Sequence, residues 1–408
     1  LLLNVCTPFP APPHPVCFGS PMASKSRPPL LPLTIFLLSA SFLPLQPILR
    51  SPEEEGDDYR RWVAWNVEDF RRRSINLMSK LDPTGSPASS GLDWKLQKAE
   101  ASTVRYTVSQ DGDGDFRSIR EAIDAVPKNN ARRVVLFIRP RIYREKVVVP
   151  KTMPFVTFLG DASSPPVLTG NDTAATKGKD GKAMKTFHSA TVAVNADYFV
   201  AANIVFENTA PYPEQGDKGG QAVALRISGN KAAFHNCRFL GTQDTLYDHK
   251  GLHYFNSSFI QGSVDFIFGY GRSLYENCYL NSITRRVASL TAQKRSRASM
   301  ESGFSFVNST VTGSGPVYLG RAWGDRSRVV FAYTFMDKVV IPQGWNNWHV
   351  RQPELSGVFY GEYKCSGPGA DWTGRVHWAH LLTDEEAQPF LGTYYVEGDT
   401  WLLDPPTA

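Results

Sequence analysis

An aromatic residue followed three positions later by a small, mostly polar residue recurs six times between residues 206 and 334. The copies are Phe206-Glu-Asn-Thr209, Phe234-His-Asn-Cys237, Phe255-Asn-Ser-Ser258, Tyr275-Glu-Asn-Cys278, Phe306-Val-Asn-Ser309 and Phe331-Ala-Tyr-Thr334, at intervals of 28, 21, 20, 31 and 25 residues. From about Val104 onward the chain reads as short β-branched and aromatic runs separated by Gly, Asn and Asp. Self-similarity in the low twenties on strand-like sequence predicts a parallel β-helix, with one coil per repeat and loops inserted in the longer intervals. A leucine-rich repeat has a similar period, but its leucine template is missing. A sandwich would need hairpins, and their Asn-Gly and Asp-Gly turns are scarce here. The fold class expected is all-β, a single-stranded parallel β-helix. One helix is predicted over 116–126, where Phe116, Ile119, Ala122, Ile123 and Val126 keep helical spacing and Pro127 ends the run.

Stacked coils bring equivalent residues about 4.8 Å apart, in columns along the solenoid. Asp244 lies seven residues after Cys237, Asp265 lies seven after Ser258, and Gly241 and Gly262 match in the same way. The register therefore sets two carboxyl groups side by side on neighbouring coils. Like charges at that distance cannot both ionise easily, so their pKa values are driven apart, as one acid and one nucleophile or base require. Asp244 sits among hydrogen-bonding groups in Gly241-Thr-Gln-Asp-Thr-Leu-Tyr247, whereas Asp265 precedes the apolar Phe266-Ile-Phe268. Aspartates beside glycines are also common turn formers, so the pair, rather than either residue alone, carries the reading.

The remaining composition mainly excludes. A formal charge of +5 over 408 residues is too small, and too scattered, to indicate nucleic acid. The longest basic run, Arg71-Arg72-Arg73, fits a solvated helix face. The histidines form no metal-like cluster. After Met22 come Lys25 and Arg27, then an apolar run from Leu30 to Leu45 broken by Pro32 and Pro44, with small residues at Ser39-Ala40-Ser41. This is a secretory signal-peptide pattern, too short and interrupted to span a membrane. The expected organisation is an upstream segment over 1–21, a signal peptide over 22–45, an extension and linker over 46–103, and a catalytic β-helix over 104–408. The extension includes a short amphipathic stretch with a Trp62/Trp65/Phe70 stripe. After Met22 only Cys237, Cys278 and Cys365 remain, too few for a disulfide framework. Sequons occur at Asn171, Asn256 and Asn308.

At these residues the chain resembles the plant pectin methylesterases (pectinesterases) over roughly 104–400. The matching stretches include Gly112-Asp-Gly-Asp-Phe116, Ile142-Tyr-Arg-Glu145, Asn208-Thr-Ala-Pro211 and Gln221-Ala-Val-Ala-Leu-Arg226. The most specific are Gly241-Thr-Gln-Asp-Thr245, Asp265-Phe-Ile-Phe-Gly269, Tyr318-Leu-Gly-Arg-Ala-Trp323 and Pro342-Gln-Gly-Trp345. The resemblance implies a right-handed parallel β-helix of the pectin-lyase-like solenoid type, and removal of methyl esters from homogalacturonan. It makes Asp265 the nucleophile and Asp244 the acid and then base. Gln221 and Gln243 become the oxyanion donors, and Arg321 the partner that aims Asp265. Thr191, Trp323, Tyr247, Phe268 and Trp345 become substrate-contacting residues. It also implies a secreted, monomeric enzyme of the cell wall, acting on pectin without metal or cofactor and open to a proteinaceous pectinesterase inhibitor. Residues 46–103 are too short for the inhibitor-like pro-region of many members, so the short type is expected.

The chain departs from the family pattern at several places. Arg141 stands where a glycine is usual, which would be costly if that turn needs φ > 0. Ala322 replaces a proline between Arg321 and Trp323, and Tyr270-Gly271 replaces a common Asn-Ala. Ser258 occupies the place of a cysteine that would pair with Cys278, while Cys237 lies two coils away and too far to bridge. The competing readings are an enzyme that cleaves the polygalacturonan backbone and a non-catalytic pectin-binding solenoid. A glycosidase of the inverting kind wants its carboxyl groups farther apart than adjacent coils allow. A lyase wants a calcium-binding acid cluster, which the sequence lacks. Loss of function would be marked by loss of an aspartate, Arg321 or a glutamine, and all are present.

Overall fold

The computed structural model describes residues 91–213 and 218–404, with isolated positions 68, 72 and 407. The expected upstream segment, signal peptide and aromatic stripe lie outside the described residues.

The β-branched and aromatic runs form three sheets in which every paired strand is parallel. The first sheet has eleven strands, from Val104–Val108 to His380–Leu381; the other two have eight each. The chain visits them in rotation. Strand Ala232–His235 of the first sheet leads to Arg238–Leu240 of the third, then to Leu246–Asp248 of the second, and back to the first at Leu252–Asn256. This is a right-handed parallel β-helix, as the repeat predicts.

The interior is filled by aligned side chains. Phe234, Phe255, Tyr275, Phe306 and Phe331 are in register on successive strands of the first sheet. Their rings stack at 4.7, 4.5, 4.5 and 4.4 Å, each tilted from the next by less than 20°. Phe206 does not belong to this column. It lies on a strand of the third sheet opposite Leu168 and Phe239, and the residue that precedes Phe234 in its column is Ala201. The 28-residue interval therefore joins two different faces, and the unbroken aromatic column begins at Phe234.

The corner from the first sheet to the third repeats a residue in the left-handed region: Asn203, Asn236, Ser257, Asn277 and Asn308. Asn tolerates that backbone better than most residues. The amide of Asn236 also donates to Asn203, and that of Asn308 to Asn277, at 2.8 and 2.7 Å. Just inside this corner the small residue of each repeat turns inward. Ser258, Ser309 and Thr334 each donate a hydroxyl to the carbonyl two residues back. Cys237, Cys278 and Cys365 make the same contact through sulfur and are all unpaired.

The predicted helix is shorter than its apolar spacing suggests. It spans Ile119–Asp124 and begins at Ser118, whose side chain accepts from Glu121 while Glu121 reaches back to the cap. Phe116 instead bridges Val108 before the helix starts. A second helix, Trp94–Glu100, buries Leu96 and Ala99 against Trp401 and neighbouring apolar residues. The end of the expected 46–103 extension is thus part of the packed body. Arg141 is not among the residues with positive φ, so the position carries no left-handed strain; its side chain pairs with Asp111 at 2.8 Å. Ala322 likewise sits in strand Val317–Ala322, buried, rather than in a loosened turn. Among the described residues no helix is long and apolar enough to cross a membrane.

Candidate active site

The two aspartates occupy the corner leading from the third sheet into the second, one coil apart. Gln243 bridges Val264, and Leu246 pairs with Ile267, which brings Asp244 level with Asp265. Both adopt the left-handed region, at φ 60° and 48°. The glycines three residues earlier permit so tight a corner. A Cβ at Gly241 would lie 2.7 Å from the Thr245 hydroxyl, and one at Gly262 would lie 2.2 Å from the Phe266 Cβ. The corner points both carboxyl groups out of the core into a cleft of about 740 Å³, where Asp244 is 8% and Asp265 6% exposed.

Strand alternation builds the floor of this cleft. On the second sheet Tyr247, Phe268, Ala292, Arg321 and Asn346 share one outward column, in register from coil to coil. Tyr247 stacks on Phe268 at 4.2 Å. Ala292 adds almost no bulk, which opens the lane along which Arg321 reaches back two coils. Its Nε donates to Asp265 Oδ1 at 2.7 Å and its Nη2 to Oδ2 at 2.6 Å, a planar two-pronged contact. The guanidinium also lies 3.9 Å over the Trp348 ring.

The two carboxyl groups are therefore electrostatically unequal. Burial raises the Asp244 pKa well above its ordinary value, and the charge of Asp265 raises it further, against a lesser pull from Arg321. Burial also raises Asp265, but there the hydrogen bonds and charge of Arg321 oppose it directly. Both are therefore raised, Asp244 the more strongly, and Asp244 is the more readily protonated of the pair.

Gln221, Gln243, Tyr247, Phe268 and Trp323 all line the cleft, as the resemblance implies. Neither glutamine amide is hydrogen-bonded to another described side chain, which leaves both available to a ligand. Two expected contacts are misplaced. Trp345 is 1% exposed, stacks on Tyr360 at 4.4 Å and donates its indole N–H to Glu362 at 3.0 Å. It pairs with Gly320, and so faces inward while its neighbour Asn346 faces out. Thr191 is 3% exposed, and its hydroxyl donates to the Glu207 carbonyl at 2.9 Å. It is a corner residue, in the same column as Thr245, and does not line the cleft.

Residues not anticipated complete the walls. Trp348, at φ 52° and 48% exposed, takes the place expected of Trp345. Lys294 sits 4.1 Å over the Trp323 ring, and Lys185 and Phe187 form the opposite side. The signal for Trp348 was present in Trp345-Asn-Asn-Trp348: once Arg321 faces out, register puts Trp345 in and leaves only the second indole for the cleft. Among the described residues no group of acids, histidines and cysteines could hold a metal ion.

Comparison with known proteins finds similarity to pectinesterases in both sequence and structure. A family model described as Pectinesterase matches residues 105–399. Pectinesterase QRT1 of Arabidopsis thaliana is 41% identical over 85% of this chain and 91% of its own length. The solved pectin methylesterase from carrot is 34% identical with a TM-score of 0.66, covering 73% of this chain and 94% of that one. A pectin methylesterase solved in complex with hexasaccharide VII is 26% identical with a TM-score of 0.62, over 73% and 98%.

Proposed function

The chain belongs to the pectinesterase family of carboxylic ester hydrolases, which removes methyl esters from pectin, and we propose that Asp265 and Asp244 carry out that reaction here. One observation supports the assignment above the rest: Arg321 grips both oxygens of Asp265 and leaves Asp244 free. An ionised Asp265 attacks the C6 carbonyl carbon of a methylated galacturonate with a lone pair that Arg321 does not use. The carbonyl electrons move to oxygen, and the amides of Gln221 and Gln243 receive the oxyanion; losing such a donor typically costs about a hundredfold or more in rate. As the intermediate collapses, the C–OCH3 bond breaks and the Asp244 proton goes to the departing oxygen, which leaves as methanol. What remains is an anhydride between Asp265 and the sugar. Asp244, now a carboxylate, takes a proton from water, whose oxygen attacks the anhydride. Attack is at the sugar C6, so the C6–O bond to Asp265 breaks and Asp265 leaves as the carboxylate. The galacturonic acid product passes its remaining proton to solvent, and Asp244 is again protonated.

The Tyr247–Phe268 floor and the Trp323 and Trp348 rings supply sugar-facing surfaces beside that centre. The leader pattern after Met22 and the wall location of pectin support secretion to the cell wall, with a signal peptide over 22–45 and a monomeric catalytic β-helix beyond the extension. A proteinaceous inhibitor that blocks the cleft belongs to the same reading. Methanol release and new reducing ends, measured together on methylated homogalacturonan, separate the esterase from a backbone-cleaving enzyme. Methanol should accumulate while the reducing-end count stays flat. Chain shortening without methanol would overturn the assignment.

A further inference from the structure

Behind the cleft floor lies a polar cluster that the esterase chemistry does not use. Asp248, His253 and Tyr275 are fully buried, and none of them lines the cleft. The Nδ1 of His253 is 2.6 Å from Asp248 Oδ1, and its Nε2 is 2.9 Å from the Gly229 carbonyl oxygen. The Tyr275 hydroxyl donates to Asp248 Oδ2 at 2.7 Å. Burial, and then the charge of Asp248, raise the Tyr275 pKa well above its ordinary value, so the phenol keeps the proton it donates. A carbonyl can only accept, so Nε2 carries a proton. A second proton sits in the short contact between ring and carboxyl group.

Successive coils meet in this cluster, and they are the coils that carry the catalytic groups. Gly229 lies on the coil that brings Gln221 to the cleft, Asp248 and His253 on that of Gln243 and Asp244, and Tyr275 on that of Asp265. Short strands connect the two ends: Leu225–Ile227, Leu246–Asp248 and Ile267–Gly269 run in register from the catalytic corner toward the cluster. Strands so short form few ladder bonds. The corner they leave holds both aspartates in the left-handed region, a conformation that persists only where the surroundings enforce it. Glycines make room for the cluster. A Cβ at Gly251 would lie 2.5 Å from the Gly229 carbonyl oxygen and 3.0 Å from His253 Nε2, and one at Gly271 would lie 2.0 Å from Asp248 Oδ1. The Gly271 that departs from the usual Asn-Ala thus admits the Asp248 carboxyl group, which an alanine there would exclude. A buried pair of this kind gains little stability over apolar side chains of the same volume, but its contacts tolerate little displacement.

We propose that Asp248, His253 and Tyr275 form a positioning clamp that fixes the spacing of these coils, and with it the separation of Asp244 from Asp265 and the reach of Gln221. The inference rests on the esterase reading above and adds residues that act through the catalytic groups without touching substrate. Tyr275 ties the Asp265 coil to the Asp244 coil, and His253 ties the Asp244 coil to that of Gln221. Freed of the first tie, two carboxyl groups that repel each other when charged move apart.

Two near-isosteric variants of the full enzyme test the clamp. Tyr275→Phe removes the tie to the Asp265 coil and keeps the ring in a ladder whose neighbours, Phe255 and Phe306, are themselves phenylalanines. Asp248→Asn keeps every tie without charge: its amide donates to Nδ1 of a neutral His253, and its oxygen accepts from Tyr275. Well below its melting temperature, Tyr275→Phe should lower kcat about threefold to tenfold with KM unchanged, within what a small misplacement of catalytic groups costs. Its alkaline limb should move to lower pH. Asp265 and Arg321 are the charges that act on Asp244, and distance from Asp265 relieves part of what raises the Asp244 pKa. Asp248→Asn should keep kcat within about twofold of the parent, with the alkaline limb in place. A Tyr275→Phe enzyme with parental kcat and pH profile, changed only in melting temperature, would overturn the proposal. So would a loss in Asp248→Asn as large as that in Tyr275→Phe. A 13C titration of the Asp244 carboxyl group reads the spacing without turnover: its midpoint should fall in Tyr275→Phe, and an unmoved midpoint would refute the clamp. Should the parent release no methanol, it is the esterase reading that has failed, and the titration still decides on the clamp.

Discussion

Asp244 and Asp265 share side chain, burial and left-handed backbone, and differ in one neighbour. Arg321 grips Asp265 alone, and two consequences of that difference can be measured. The first concerns stability. Asp244 has a folded-state pKa well above its ordinary value of 3.8, so its neutral form is the one the fold prefers. Whatever it contributes is fully present below 3.8 and is lost as pH rises through the elevated folded value. Asp244→Asn should therefore raise the melting temperature at neutral pH, with a gain that shrinks to nothing as pH falls below the ordinary carboxylate range. A gain independent of pH would mean that Asp244 is not the proton holder. The second consequence is kinetic. Removing the guanidinium in Arg321→Gln leaves Asp265 with burial unopposed, so its pKa rises. The acid limb of the kcat profile should move to higher pH, and kcat should fall roughly tenfold or more, as loss of a charged hydrogen-bond pair implies. The alkaline limb should move the same way, because Arg321 also lowers Asp244. An unmoved acid limb would detach Arg321 from the nucleophile. Both aspartates were legible in the sequence because the seven-residue offset from the repeat is a register statement. Trp345 and Thr191 were misread because a motif match carries no parity. The alternation that turns Arg321 outward sends Trp345 into the core, and the Thr191 hydroxyl is occupied by backbone.

At the scale of the coil, the aromatic ladder sets the spacing on which the site depends. Phe255 is fully buried, with Phe234 stacked on one face at 4.7 Å and Tyr275 on the other at 4.5 Å. Its strand lies on the coil path between the Asp244 and Asp265 corners. Phe255→Ala should cost about 3–5 kcal/mol in denaturant unfolding, the usual range for deleting a buried phenyl. A loss under about 1 kcal/mol would show that neighbouring rings close the gap and that the ladder is not the frame of the fold. The ladder was visible in the sequence as the repeat, but its first member was not. Phe206 matches the aromatic-x-x-small pattern from the third sheet, and pattern alone does not say which of three faces a residue occupies. The helix boundary failed for a similar reason. Apolar spacing ran on to Phe116, whereas the Ser118–Glu121 capping box starts the helix three residues later.

At the scale of the molecule, three parallel sheets convert a linear offset into a site by translation along the solenoid. Consecutive coils supply the two acids, and a coil two further along supplies the arginine that distinguishes them. The same translation carries the aromatic floor to Arg226, the residue in register with Tyr247 on the preceding coil. The architecture was readable from period and strand texture. The walls were not, because Trp348 and Lys294 come from irregular segments between strands and Phe187 from the short helix Lys185–Ser189, where period says nothing. The central claim is that Asp265 forms the bond to the substrate carbonyl, and methanol release by Asp265→Asn measures it most directly. The variant should melt as cooperatively as the parent and release no methanol above the uncatalysed rate. A correctly folded Asp265→Asn protein that still releases methanol at a substantial fraction of the parent rate would contradict the account.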